Sequence, residues 1–139
     1  MGSRRKAREC ALQMLFEMEM KKEPPENVVP EYWQHASSDD ATRDFADRIV
    51  YGQHRLIDRI DDLIGKHIEN WRLERLAAVD RNILRIAVFE LLEEKETPCK
   101  VVINEAIEIA KKFGSNESAH FINGVLDGIE KALSSEIAS

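Results

Sequence analysis

The feature that most constrains the fold of this chain is a segment, residues 81–93, that would be apolar nearly all round as a helix. Its apolar residues are Ile83, Leu84, Ile86, Ala87, Val88, Phe89, Leu91 and Leu92. Asp80 precedes the segment and is predicted to be its N-cap. Because a helix without a polar face is covered on every side, we expect this one to be central and buried.

The rest of the chain shows apolar residues at spacings of three and four, and no segment alternates as a strand would. The other predicted helices are an N-terminal one ending before Pro24, a short one over 28–35, a long one from the capping cluster 37–40 to Leu63, a short turn from Asn70, one opened by Pro98, and a last one after Ser115. Gly52 on the apolar stripe of the long helix predicts a close helix crossing. The pattern predicts a single all-α domain, residues 1–139, of about seven helices, with 134–139 frayed.

Composition indicates a soluble globular protein, with 43% hydrophobic and 33% charged residues. No apolar run approaches the roughly 20 residues needed to cross a bilayer, so no membrane contact is expected. Cys10 and Cys99 have no CxxC companion, which favours packed thiols in a reducing cytoplasm over a disulfide or a metal site. We therefore predict a cytoplasmic protein.

The sequence offers little for catalysis. Glu117 and His120 resemble half of a di-iron motif, but a second such pair is absent from the sequence. His54, Asp58 and Asp61 share a helix face within a stretch of alternating charge, which a solvated ion-pair surface explains more simply. We predict no catalytic residue, no metal and no cofactor, and hence no enzyme.

The N-terminal segment is basic, whereas the chain as a whole is acidic. Arg4, Arg5, Lys6 and Arg8 give the first eight residues four positive side chains and no negative one, whereas the whole protein carries a net charge of −6. A basic segment in an otherwise acidic protein favours local contact with a polyanion, most simply RNA. A solvated N-terminal turn is the alternative.

Phe121 lies off the apolar stripe of the last predicted helix. It falls about 100° from the centre of that stripe, on the side shared with Gly124 and Gly128. These glycines leave the ring little shielded by its own helix, so a nucleobase could stack on it. Packing of the ring against a neighbouring helix is the other reading.

Several separated stretches together resemble the NusB family of bacterial transcription antitermination factors. They are residues 5–13 (RKARECALQ), 80–87 (DRNILRIA), 102–111 (VINEAIEIAK) and 121–127 (FINGVLD). They occur in the order found in the family and span nearly the whole chain.

The resemblance implies a NusB-like fold of two packed subbundles without enzymatic activity. It implies a heterodimer with NusE, a small-subunit ribosomal protein, and binding of the pair to the single-stranded boxA element of nascent RNA. That complex would act with RNA polymerase in antitermination, particularly in ribosomal RNA operons. The family also permits a homodimer.

Carried over residue by residue, the resemblance assigns two surfaces. RNA contacts map onto Arg4, Arg5, Lys6, Arg8, Lys111 and Phe121. The surface toward NusE maps onto Phe16, Glu74 and Asp80, with Phe16 standing where many relatives have Tyr. We expect the N-terminal cations to lie beside the uncovered Phe121 ring, so that a nucleotide strand is held by backbone and base together.

Two alternatives have different consequences. NusB-like domains also assist RNA binding at the N-terminus of ribosomal RNA cytosine methyltransferases, which continue into a methyl-donor-binding domain. This chain ends soon after Leu133, which favours the free factor. A helical protein-interaction adaptor without RNA binding is the second alternative.

Overall fold

The structure is a computed structural model that describes residues 2–68 and 72–138. It contains seven helices in these residues: α1 (Gly2–Lys21), α2 (Pro25–His35), α3 (Asp40–Arg55), α4 (Ile57–Gly65), α5 (Ala78–Glu93), α6 (Cys99–Phe113) and α7 (Ser118–Ala138). A 3-10 turn, Leu73–Arg75, lies between α4 and α5. The all-α prediction is confirmed. The predicted turn from Asn70, with Trp71, begins outside the described residues.

Helix α5 is the centre of the molecule, as its apolar sequence predicts. It packs against α1 and α3 on one side and against α4, α6 and α7 on the other. Helices α1 to α3 form one subbundle and α4 to α7 form the second, so α5 joins the two. All the apolar residues that predicted a central helix are buried.

Gly52 marks the crossing of α3 and α5. A Cβ atom placed there would overlap the ring of Phe89, so only glycine leaves room for this aromatic side chain. The close crossing expected from the stripe is confirmed. The start of α3 is also as predicted, because the Asp39 carboxylate accepts a hydrogen bond from the Thr42 backbone N–H at 2.8 Å.

Other boundaries differ from the sequence predictions. The long helix expected after Asp40 breaks at Leu56, whose φ of −102° and ψ of 17° separate α3 from α4. Helix α5 begins at Ala78, so Asp80 lies inside its first turn and is not its N-cap. Helix α7 runs to Ala138, through the segment predicted to be frayed.

Two further observations concern the cysteines and the apolar character of the helices. Cys10 is buried, but Cys99 is exposed rather than packed. Across the described ranges, no helix combines the length and the apolar character that a membrane crossing requires.

Candidate functional site

Arg4, Arg5 and Arg8 line a groove at the carboxyl end of α5, formed with α3 and α6, which we call the basic groove. Arg4 is exposed, and its guanidinium carbon lies 4.0 Å from the centroid of the buried Phe45 ring. Such cation–π stacking holds the guanidinium in place without neutralising its charge. Arg4 forms no ion pair with any of the described residues. It is available to an anion.

Arg5 faces the same groove but already has an anionic partner. Its Nε and Nη2 donate to the two carboxylate oxygens of Glu105 at 2.9 and 2.7 Å. This hydrogen bonding raises the pKa of Arg5 and holds the pKa of Glu105 below its ordinary value, so both groups are charged. A phosphate that binds Arg5 has to compete with Glu105.

Arg8 is placed differently from the prediction. Its side chain is 4% exposed and donates from Nε and Nη2 to Glu90, itself 1% exposed, at 2.8 and 2.7 Å. A guanidinium enclosed in this way cannot present its paired edge to RNA. The expected direct phosphate contact is therefore replaced by a structural role in which Arg8 fixes α1 on α5.

The remaining predicted cations are exposed. Lys6 donates to the Ser37 backbone carbonyl at 3.3 Å and forms no ion pair within the described chain. Lys111, in the last turn of α6, pairs with Glu108 at 3.1 Å. Next to it, Lys112 reaches Glu9 of α1 at 3.1 Å, which brings the end of α6 against α1.

Sequence reasoning missed one cation of the basic groove. Arg48 of α3 is 49% exposed and lines the groove with Arg4 and Arg5. Its guanidinium carbon is 5.0 Å from the Phe45 centroid, and its side chain pairs with Glu94. Arg48 lies in a helix of mixed charge, and nothing in that pattern distinguishes it from neighbouring surface residues.

Phe121 does not lie beside the arginines. Its ring is half-buried in a second groove, lined among others by Leu76, Asp80 and Ser118, which shares no residue with the basic groove. The two grooves are at opposite ends of α5, and Asp80 and Glu94 mark them about 20 Å apart at 1.5 Å per residue. The expectation that the N-terminal cations lie beside the Phe121 ring is therefore wrong.

The residues assigned to a partner gather at the amino end of α5. Phe16 is 39% exposed on α1, and Glu74 is exposed on the 3-10 turn. The Oδ1 atom of Asp80 is buried and has no hydrogen-bond partner in the described part of the chain. Since a buried carboxylate oxygen without a donor is costly, this atom is a candidate for a donor from another molecule.

An ionic network holds this second surface in place. Glu19 of α1 accepts from Nε and Nη2 of Arg81 at distances down to 2.6 Å. Arg81 Nη1 also donates to the backbone carbonyls of Leu73 and Leu76 at 3.4 and 2.7 Å, which fixes the 3-10 turn carrying Glu74. Burial opposes ionisation of Glu19, but hydrogen bonds from Arg81 and Asn82 outweigh it and hold its pKa below the ordinary value.

Together these features define a class: an all-helical protein whose two subbundles meet at the central helix α5. The basic groove lies at one end of α5, and Glu74 and Asp80, which we call the acidic surface, lie at the other. The model of the NusB family matches residues 5–131. The chain belongs to the NusB family.

Individual relatives agree over nearly the full length. The transcription antitermination protein NusB of Koribacter versatilis is 48% identical over 136 residues, which cover 97% of this chain and 93% of that protein. The solved structure of T. maritima NusB matches with a TM-score of 0.85 and 41% identity, covering 92% of this chain and 90% of that one. A chain in a structure of the antitermination factors NusB and NusE in complex with dsRNA matches with a TM-score of 0.86 and 30% identity, covering 95% of this chain and 98% of that one.

Proposed function

We propose that this protein is a non-enzymatic transcription antitermination factor of the cytoplasm. In this proposal it binds boxA-type single-stranded RNA together with ribosomal protein NusE and acts with RNA polymerase to promote processive transcription of ribosomal RNA operons. The observation that carries the proposal is the match, over 95% of this chain, to a structure of NusB and NusE in complex with dsRNA.

The basic groove, together with Lys6 outside it, supplies the contacts to the RNA backbone. Arg4 and Lys6 offer charges without a carboxylate partner among the described residues, and Arg5 contributes by exchanging Glu105 for a phosphate. The buried pair of Arg8 with Glu90 holds this part of α1 against α5. Because Glu105 competes for Arg5 and the chain carries a net charge of −6, we expect modest affinity of the isolated protein for RNA.

The Phe121 ring contacts a different part of the same strand. A base stacked on it contributes about 1–3 kcal/mol. Since the arginines are about 20 Å away along α5, a strand of several nucleotides is needed to reach both sites. Lys111, exposed in the last turn of α6, adds a further positive charge for the RNA backbone.

The acidic surface supplies the contacts to NusE. Phe16 provides an apolar anchor, while Glu74 and Asp80 suit a basic partner. Asp80 also lines the groove that contains Phe121, so a partner bound here would border the stacking site. Binding of NusE would thus extend the RNA-binding surface and cover acidic side chains that repel phosphate.

Filter binding tests this proposal with boxA RNA, a scrambled sequence and a duplex form of boxA, each with and without NusE. We expect NusE to tighten binding of single-stranded boxA more than that of the other two. Contacts from Arg4, Arg5 and Lys6 to three phosphates give a log–log salt slope of roughly −2, or about 15-fold weaker binding between about 50 and 200 mM salt. Equal affinity for all three RNAs, or a NusE effect that ignores RNA sequence, would contradict the proposal.

A further inference from the structure

We propose that Arg48 is an additional RNA-binding residue, which forms a phosphate site with Arg4 in the basic groove beside the Phe45 ring. The inference rests on the proposed function, since it names a further contact of the same RNA. It follows from the structure alone, because Arg48 lies on α3, outside the basic run that suggested RNA binding in the sequence.

The buried Phe45 ring acts as a platform for both guanidiniums. The guanidinium carbons of Arg4 and Arg48 lie 4.0 and 5.0 Å from its centroid. Phe45 is itself enclosed by the core, so the ring cannot move away. Guanidiniums held against a fixed ring lose little further freedom when a phosphate binds, which favours binding over that by mobile surface lysines.

Hydrogen-bond donors remain at both positions. Arg48 uses Nε and Nη2 for the two oxygens of Glu94, at 2.9 and 3.0 Å, which leaves the donors of Nη1. The Arg4 guanidinium makes only its ring contact among the described residues. Since a phosphate oxygen accepts several hydrogen bonds, one phosphate can take donors from both arginines at the mouth of the groove.

The competing explanation is that Arg48 serves only to pair with Glu94. Arg55 provides a control that separates phosphate binding from ion pairing. Arg55 lies two helical turns further along α3 and is also exposed. It pairs at 3.7 Å with Glu93, the residue before Glu94. Arg55 does not line the basic groove. Removing either arginine changes the net charge equally and breaks one ion pair between α3 and the carboxyl end of α5, at Glu94 or at Glu93.

The experiment compares Arg48→Ala and Arg55→Ala in binding of boxA RNA in the presence of NusE, at several salt concentrations. We expect Arg48→Ala to weaken binding about fivefold near 0.1 M salt, whereas the salt slope should change by less than about 0.7, the value for one phosphate on a single strand, because Arg4 still contacts the shared phosphate. Arg55→Ala should stay within about twofold of the parent. Arg48→Lys should keep the salt slope but bind more weakly than the parent, because it lacks the planar fork.

The possible results separate the inference from the proposed function. If the two alanine variants weaken binding equally, only net charge matters and the phosphate site is wrong. If neither changes binding, Arg48 is a structural residue and the inference is again wrong. If the parent itself fails to bind boxA RNA, the proposed function falls and the phosphate site falls with it. Circular dichroism and urea unfolding of each variant confirm that the fold is retained.

Discussion

The two ends of α5 are held to α1 by the same chemistry with the charges exchanged. At the carboxyl end, Arg8 of α1 donates to Glu90 of α5, and both side chains are buried. At the amino end, Glu19 of α1 accepts from Arg81 of α5, and both are only half-buried. Helix α1 thus supplies the cation at one end and the anion at the other.

This reversal specifies how the two helices are arranged. If α1 ran in the opposite direction, Arg8 would approach Arg81 and Glu19 would approach Glu90, which places like charges together. The difference in burial also separates the functions of the ends. The enclosed pair only locks the helices, whereas Arg81 in the more open network also holds the 3-10 turn with Glu74 at the surface.

The largest loss of stability at the two ends of α5 is expected from Arg8→Met. The substitution leaves the Glu90 carboxylate buried without its partner, and we expect a loss of about 3–5 kcal/mol in the free energy of unfolding. Urea denaturation followed by circular dichroism measures the loss. A cost below about 1 kcal/mol, the usual range of exposed pairs, would contradict the structural role assigned to Arg8.

The double variant Arg8→Met with Glu90→Leu serves as the control. Because it removes both charges and leaves apolar side chains of similar size, most of the lost stability should return. If the double variant is as unstable as Arg8→Met, poor packing rather than an uncompensated charge causes the loss.

The contrast between Arg4 and Arg8 shows what could be predicted from the sequence and what could not. Both belong to one basic run, yet Arg4 is exposed and Arg8 is buried. Arg8 borders the apolar stripe of α1, and Glu90 interrupts the apolar surface of α5, so each is a charge in a place that requires a partner. The sequence marks both as unusual but does not show that they meet, since they are far apart in the chain.

The fold was more predictable because its signals are local. The all-apolar pattern of α5 and the helix start at the capping cluster 37–40 depend on neighbouring residues, and both predictions are confirmed. The break at Leu56 was missed because the apolar spacing continues through it to Ile60, with neither proline nor glycine at the break. Its cause is tertiary, since α4 packs against α5 and α7 in the other subbundle.

A moderate effect is expected at the opposite end of α5 from Glu19→Gln. The amide keeps the shape but loses the charge that Arg81 and Arg85 face, so we expect a loss of about 1–3 kcal/mol near neutral pH. The pKa of Glu19 is lowered on folding, so its stabilisation is present above the ordinary value of 4.5 and is lost as the pH falls through the folded value.

Urea unfolding of parent and Glu19→Gln at neutral pH and at about pH 3 tests this dependence. The difference between the two proteins should shrink in acid. Glu17→Gln, which removes the half-buried partner of the exposed Lys21 on the same helix, should change stability by less than about 0.5 kcal/mol. A gap that is constant across the pH range would show that the charge of Glu19 is not what stabilises this end.

The smallest change in stability, but a measurable change in binding, is expected from Asp80→Lys. Since Asp80 is not the N-cap of α5, the substitution removes no capping bond, and its cost is about 0.3–1 kcal/mol from a cation in the first helical turn. Charge reversal at the proposed NusE surface should weaken NusE binding about tenfold, within the coupling energies measured for close charge pairs.

Asp58→Lys is the matched control, because Asp58 is exposed in the first turn of α4 and lies outside the proposed NusE surface. Isothermal titration of NusE into each variant should show weak binding only for Asp80→Lys. Equal weakening by the two variants would indicate that net charge alone attracts the partner. Parent-like affinity of Asp80→Lys would remove Asp80 from the interface, and its buried Oδ1 atom would then need a donor from another source, such as water. Asp80→Asn, which keeps an acceptor at this position without the charge, should lie between the parent and Asp80→Lys if that atom accepts a hydrogen bond from NusE.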